Sequence, residues 1–158
     1  PEIINILPVL KDDFVDVCFR MIDGSLSRVD VQKVATVLTY KVPPSYGGYA
    51  DVFAAKVNRT EIGTPVDLSE AYALTSKYGN RIRVYPASME LRNGQVYALK
   101  SRVVGVLGIG DSIEEAREIS LEGINAIRGG ALWNRTDIAS KQHIAKCVRH
   151  MKQLRAEA

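Results

Sequence analysis

The sequence predicts an α+β domain, mainly antiparallel sheet with flanking helices, and three stretches carry that reading. Val103 to Ile109 is an apolar run broken only by Gly105 and Gly108, the pattern of a strand buried on both faces. The period then changes. Ile113, Ala116, Ile119, Gly123, Ile124 and Ile127 fall on one side of a helix, and Glu114, Glu115, Glu118, Glu122 and Asn125 on the other, which describes an amphipathic helix laid on a sheet. Finally, Ala87 to Leu91 and Gln95 to Leu99 flank Arg92-Asn93-Gly94, and Asn-Gly between two extended runs signals a hairpin.

Taken in order, Pro1 to Pro8 has no clear period. Asp12 or Asp13 offers an N-cap for a helix with Phe14, Val17, Cys18 and Met21 on its inner face, and Gly24 ends it. Arg28 to Lys33 is polar and reads as a boundary. Val34 to Val42, rich in β-branched residues, is a strand. Pro43-Pro44-Ser45-Tyr46-Gly47-Gly48-Tyr49 is a turn by composition, and a Gly-Gly loop serves equally to bring backbone N–H groups to a ligand. Ala50 to Thr64 reads as a loop with some extended structure.

Asp67 starts a short helix with Leu68, Ala71, Tyr72 and Leu74 or Thr75 inward, stopped by Gly79, and Arg81 to Pro86 is a strand. Asp111, three residues before Glu114, is the expected cap of the central helix. After it Gly129-Gly130 breaks the pattern, and Asp137 caps a final helix with Ile144, Val148 and Met151 on one face.

Composition narrows the classes. The 158 residues suffice for a real core. A formal net charge of +3 is too mild for a nucleic-acid protein, whose basic stripe carries interleaved aromatics. The basic C-terminal residues Lys141, Lys146, Arg149, Lys152 and Arg155 read as a solvated helix face. Cys18 and Cys147 are expected to be buried thiols in a reducing compartment, and no stretch approaches the roughly 18 apolar residues that span a membrane. A cytoplasmic protein is expected. The chain opens Pro1-Glu2-Ile3-Ile4 without an initiator methionine, which predicts a start inside a longer polypeptide.

Gly108-Ile109-Gly110 lies between a strand and a helix as dinucleotide-binding glycines do, but Ile113 stands where the third glycine belongs. Asp111 and the glutamates after it would also repel a phosphate from the helix end. The glycines are therefore assigned to a buried strand. His143 and His150 lack the i, i+4 spacing of a metal pair, so no metal is expected. No nucleophile, base and orienter stand in a recognisable arrangement, and residue-level reading stops at the fold.

The order of several motifs goes further. Pro1-Glu2 and Leu7-Pro8-Val9-Leu10-Lys11, then Lys100-Ser101-Arg102-Val103 through Gly110-Asp111-Ser112 and Glu114-Glu115-Ala116, then Trp133-Asn134-Arg135-Thr136-Asp137-Ile138-Ala139, together resemble the C-terminal part of archaeal-type phosphoribosylamine-glycine ligases. These glycinamide ribonucleotide synthetases are ATP-grasp enzymes of purine synthesis. Ser101 replaces a glycine of the family pattern, and Ala139 another.

The resemblance implies a fold like the C-terminal, barrel-sandwich-hybrid-like domain of ATP-grasp ligases. Residues 1–30 would be the tail of the ATP-grasp domain with a helix at about 12–23, residues 31–136 the C-terminal α+β domain, and residues 137–158 a C-terminal helix. It implies an ATP-dependent ligase: ATP phosphorylates the glycine carboxylate, and the amine of phosphoribosylamine attacks the acyl phosphate. ATP and Mg or Mn would be held mainly by groups outside this chain, leaving no catalytic residue here and a fragment inactive alone. Its partners would be the missing N-terminal and ATP-grasp domains, glycine and phosphoribosylamine, with no nucleic acid and no membrane.

By the same resemblance Lys100, Ser101 and Arg102 would contact the substrate phosphate, with Gly47 and Gly48 as weaker candidates. The competing assignment pairs Arg102 with a local carboxylate. The competing function is a stand-alone, non-catalytic binding module of the same fold, docking through the Trp133 region or the basic last helix.

Overall fold

The computed structural model describes residues 3–46, 57 and 59–156. A short helix, α1 (Ile3–Ile6), runs into a 3-10 turn at Leu7–Val9, and α2 (Phe14–Ile22) follows. After β1 (Ala35–Lys41) and a 3-10 turn at Arg59–Glu61 come the short helices α3 (Ser69–Ala73) and α4 (Thr75–Tyr78). Strands β2 (Ile82–Pro86), β3 (Met89–Arg92), β4 (Gln95–Ala98) and β5 (Val104–Gly110) lead to α5 (Ile113–Asn125) and α6 (Lys141–Ala156).

The strands form a three-stranded antiparallel sheet ordered β1-β5-β2 and a separate β3-β4 hairpin. The hairpin turns at Asn93 and Gly94 with φ of 49° and 77°, the doubly positive pair that a tight two-residue turn requires. Being central, β5 is buried along its whole length. Val104 and Val106 pack with Ile119, Ile124 and Ile127 on one face, while Leu107 and Ile109 pack with Val9 on the other.

Several local expectations need correcting. The central helix is capped one residue later than Asp111: Ser112 Oγ accepts from the Glu115 N–H at 3.1 Å, and Glu115 Oε2 accepts from the Asp111 N–H at 2.7 Å. Ile113, expected inward, is exposed. At α2 the cap is Asp13, accepting from the Asp16 N–H at 3.0 Å, but of the helix only Val17 is buried. Phe14 and Met21 are exposed and Cys18 half-buried, because little among the described residues covers that face.

Tyr72 is also exposed. Asp137 does not cap the last helix; its carboxylate is engaged by Arg135, and Ser140 Oγ accepts from the His143 N–H instead at 3.1 Å. No residue of α6 is buried, so Val148 and Met151 stand exposed and Cys147 is an exposed thiol rather than a buried one. Among the described residues no helix is long and apolar enough to cross a membrane.

Candidate functional site

The site is built where the start of β5, the end of β1 and the segment after α5 meet. The Val103 N–H donates to the Lys41 carbonyl and the Ser88 N–H to the Arg102 carbonyl, each at 2.9 Å, so the backbone at Arg102 is fixed from two sides. Its side chain leaves the sheet beside two rings. The guanidinium carbon lies 5.5 Å from the centroid of Tyr40 and 5.6 Å from that of Tyr46, within the range at which a cation is attracted to a ring face.

Tyr40 can lie flat there because Gly105 is opposite it in the β1-β5 register. A Cβ on Gly105 would come within 2.8 Å of the Tyr40 ring. Tyr46 is delivered by the Pro43-Pro44 turn, whose Pro43 carbonyl accepts from the Tyr46 N–H at 3.0 Å.

The third side comes from the segment after Gly129-Gly130. Both glycines have φ near +70° (76° and 70°), a conformation that β-carbons disfavour. The turned chain then pairs Trp133 with Val42 through reciprocal backbone hydrogen bonds of 2.8 and 2.9 Å. Arg135 follows. Its Nε and Nη2 grip the Asp137 carboxylate at 2.9 and 2.6 Å, and this charged fork is the main reason that the Asp137 carboxyl is held down to about 2.

These groups enclose a cavity of about 340 Å³ lined by Tyr40, Tyr46, Arg102, Trp133, Arg135 and Ile138, with Leu38, Thr39 and Val42 behind them. Two guanidinium groups on an aromatic-lined recess suit an anion carried on a compact organic body, since arginine grips phosphate oxygens in a bidentate fork. Of the candidates named from sequence, Arg102 lines the cavity; Lys100 and Ser101 sit on the exposed turn before it and do not. Gly47 and Gly48 lie outside the described residues. Among the described residues no carboxylate pairs with Arg102, whose contacts are the two rings.

The sequence points to Trp133 only as the docking region of a competing binding module, and to Tyr40 and Arg135 not at all as site residues. Arg135 was visible only inside the Trp-Asn-Arg-Thr-Asp motif, and nothing in its spacing announces that a bridge from Val42 to Trp133 brings it opposite Arg102.

A broader trough of about 640 Å³ runs from Arg135 and Asp137 along α6 past His143, Cys147 and His150. Cys147 Sγ stands 3.9 Å from His143 Nε2. Among the described residues no three His, Cys, Asp or Glu side chains come together to hold a metal.

Fold and cavity together define a class: an α+β domain that presents a guanidinium-bearing recess at one end of its sheet. The family described as phosphoribosylglycinamide synthetase, C domain, matches residues 52–141. Over 157 residues the chain is 34% identical to the phosphoribosylamine--glycine ligase of Methanocella arvoryzae, a match covering 98% of this chain and 32% of that protein. Against the enzyme of the same name from Methanocaldococcus jannaschii the identity is 36% over 157 residues, with the same coverage of 98% and 32%. For that of Methanobrevibacter smithii it is 30% over 154 residues, again covering 98% and 32%. The chain belongs to the phosphoribosylglycinamide synthetase C-domain family, and it spans about a third of the length of these curated relatives.

Proposed function

We propose that this chain is one wall of the substrate pocket of a phosphoribosylamine-glycine ligase, and that the recess between Arg102 and Arg135 receives the phosphate of phosphoribosylamine. The observation that carries this reading is the convergence of the two arginines, from sequence-distant segments, on one aromatic-lined cavity. The relatives' shared name supplies the reaction, and the cavity chemistry matches the one anionic end of that amine substrate.

In this reading the chain binds and orients. Arg102, steadied by Tyr40 and Tyr46, meets the phosphate from the sheet; Arg135, held by Asp137, meets it from the opposite segment; the rings keep bulk water from the ribose side. The amine is thereby presented to a glycyl phosphate made elsewhere in the enzyme, which lowers the entropic cost of bringing two reactants together.

Gly108 and Gly110 offer no cradle for the phosphates of ATP. The space above Gly108 and Gly110 is filled by the backbone at Ala116, and the described residues assemble no metal-ligand set. We place ATP and its Mg or Mn in the part of the ligase that this chain does not span, together with the glycine site, and infer that the chain alone is inactive.

Residues 1–30 we assign to the tail of the ATP-grasp portion. Phe14, Val15, Phe19, Met21 and Ile22 are 52–79% exposed on α2, and an apolar cluster of that kind marks a surface covered by a neighbour.

The test is Arg102→Ala in the complete ligase. A charged hydrogen-bond partner lost on binding corresponds to about a ten- to hundredfold rise in KM for phosphoribosylamine, with kcat and the KM for ATP close to unchanged. Unchanged KM removes the assignment.

A further inference from the structure

Arg117 is on α5, outside the cavity, and its side chain is spent on backbone. Nε donates to the Ile138 carbonyl at 3.0 Å and Nη2 to the Thr136 carbonyl at 2.6 Å. Both acceptors belong to the segment that carries Arg135. The Val42 bridge at Trp133 and the Arg117 fork at Thr136 and Ile138 both anchor that segment. Between them lie Asn134 and Arg135, and just beyond them Ala139 holds a left-handed φ of 55°, which a non-glycine residue keeps only when its surroundings impose it.

We propose that Arg117 is a positioning residue: by forking onto the carbonyls of Thr136 and Ile138 it fixes the 133–138 segment so that Trp133 and Arg135 close the cavity opposite Arg102. The inference rests on the reading of that cavity as a phosphate subsite only for its functional consequence; the geometric half stands by itself. The Arg135–Asp137 pair is internal to the segment and moves with it. Without the fork, the carbonyls of Thr136 and Ile138 lose their shared hold on α5, and an arginine on a more loosely held loop meets its ligand in fewer of its conformations.

Trp133 is the chain's single tryptophan, so its fluorescence reports on this wall alone. The experiment compares the wild-type chain, Arg117→Ala and Arg81→Ala. Arg81 serves as control because it likewise reaches from a neighbouring element to a backbone carbonyl, that of Ile109, and to a carboxylate, far from the cavity.

Two readouts are taken below the thermal transition of each variant: acrylamide quenching of Trp133, and quenching by ribose 5-phosphate as a stable stand-in for the amine. Arg117→Ala is expected to raise the acrylamide quenching constant about twofold or more and to weaken ribose 5-phosphate binding about tenfold, the equivalent of one or two lost hydrogen bonds. Arg81→Ala should change neither. Wild-type acrylamide quenching in Arg117→Ala overturns the proposal, as does an equal change in Arg81→Ala. If the wild type ignores ribose 5-phosphate, the phosphate reading fails, and acrylamide still decides the role of Arg117. Should Arg117→Ala not fold, Arg117→Lys, which keeps the stem but cannot fork onto two carbonyls, takes its place with a smaller expected change.

Discussion

A Cβ placed on Gly108 would stand 2.0 Å from the carbonyl oxygen of Ala116 and 2.7 Å from the Ser120 nitrogen. The glycine is therefore the point where the central strand and the central helix touch backbone to backbone. Gly123 makes the reciprocal concession, since a Cβ there would meet Val106 and Ile82 at 2.7 and 2.9 Å. Helix and sheet approach this closely over a buried hydroxyl pair, with Ser120 Oγ donating to the Val106 carbonyl at 2.8 Å and standing 2.9 Å from Thr39 Oγ1.

Gly108→Ala should accordingly be among the costliest single-methyl additions in this fold. The obstruction is backbone, which cannot swing aside as a side-chain tip can, so α5 must lift from β5. Overpacking of this kind costs roughly 1–3 kcal/mol and more when backbone must move, and the expectation is the upper end. Urea unfolding measures it. Gly105→Ala is the contrast: its obstruction is the Tyr40 ring, so stability should fall less while the orientation of Arg102 beside that ring suffers more.

The cap of α5 gives a sharper comparison. Ser112→Ala removes the acceptor for the Glu115 N–H and should cost about 1 kcal/mol; Asp111→Ala removes no side-chain cap and should cost little. Glu115 has a second role, because its carboxylate accepts from the Asp111 N–H and then pairs with Arg81, which together hold its carboxyl below the usual range. Since folding lowers that carboxyl's pKa, the contribution is present above the ordinary value of 4.5 and fades as pH falls through the folded one. Thermal unfolding of Ser112→Ala, Asp111→Ala and wild type at neutral pH separates the two caps.

The same comparison shows what was legible in the sequence. Asp111 and Ser112 are both good caps, and each stands three residues before a glutamate; only the backbone geometry selects one. The strand Val104–Gly110, the Asn93-Gly94 turn and the burial of Ile119, Ile124 and Ile127 were readable because periodicity and turn chemistry are local. The inner faces expected for α2 and α6 were not, because an apolar stripe says that a face wants cover without saying whether this chain supplies it. Of the cavity, Arg102 was readable as a charge at a strand start, through resemblance. Arg135 and the tyrosines depended on long-range pairing, β1 with β5 and Val42 with Trp133, which no local pattern encodes.

Ala139 has a φ of 55°, in the left-handed region that favours glycine. An L-residue in the left-handed region carries a penalty of roughly 1–2 kcal/mol, offset in part by the extra freedom a glycine has when unfolded. Ala139→Gly should therefore stabilise the chain by about 0.5–1 kcal/mol, seen as a higher denaturation midpoint with an unchanged slope. A lower midpoint would mean that the alanine methyl makes packing contacts worth more than the strain.

The Arg135–Asp137 pair sets the pH behaviour of the proposed phosphate subsite. Asp137 has its carboxyl lowered from 3.8 to about 2, chiefly by the Arg135 fork. A depressed acid contributes above its unfolded value and loses that contribution only as pH falls through the folded one, so the fork is intact throughout the range above about pH 4 and dissolves toward pH 2. Arg135 stays charged in the whole interval. Neither partner then gives binding a pH dependence between about 4 and 8, and with His143, which bears on Asp137, replaced by Gln, what remains is the ligand: a phosphate monoester gains its second charge near pH 6. In that background ribose 5-phosphate affinity, followed by Trp133 fluorescence, should rise through pH 6 with a single inflection and stay flat around pH 4. Asp137→Asn should keep the inflection near pH 6, because it belongs to the ligand, while weakening binding at every pH by releasing the guanidinium that Asp137 orients. An inflection near pH 4 in the wild type that vanishes in Asp137→Asn would instead place an ordinary, unpaired carboxylate beside the phosphate and break the proposed geometry.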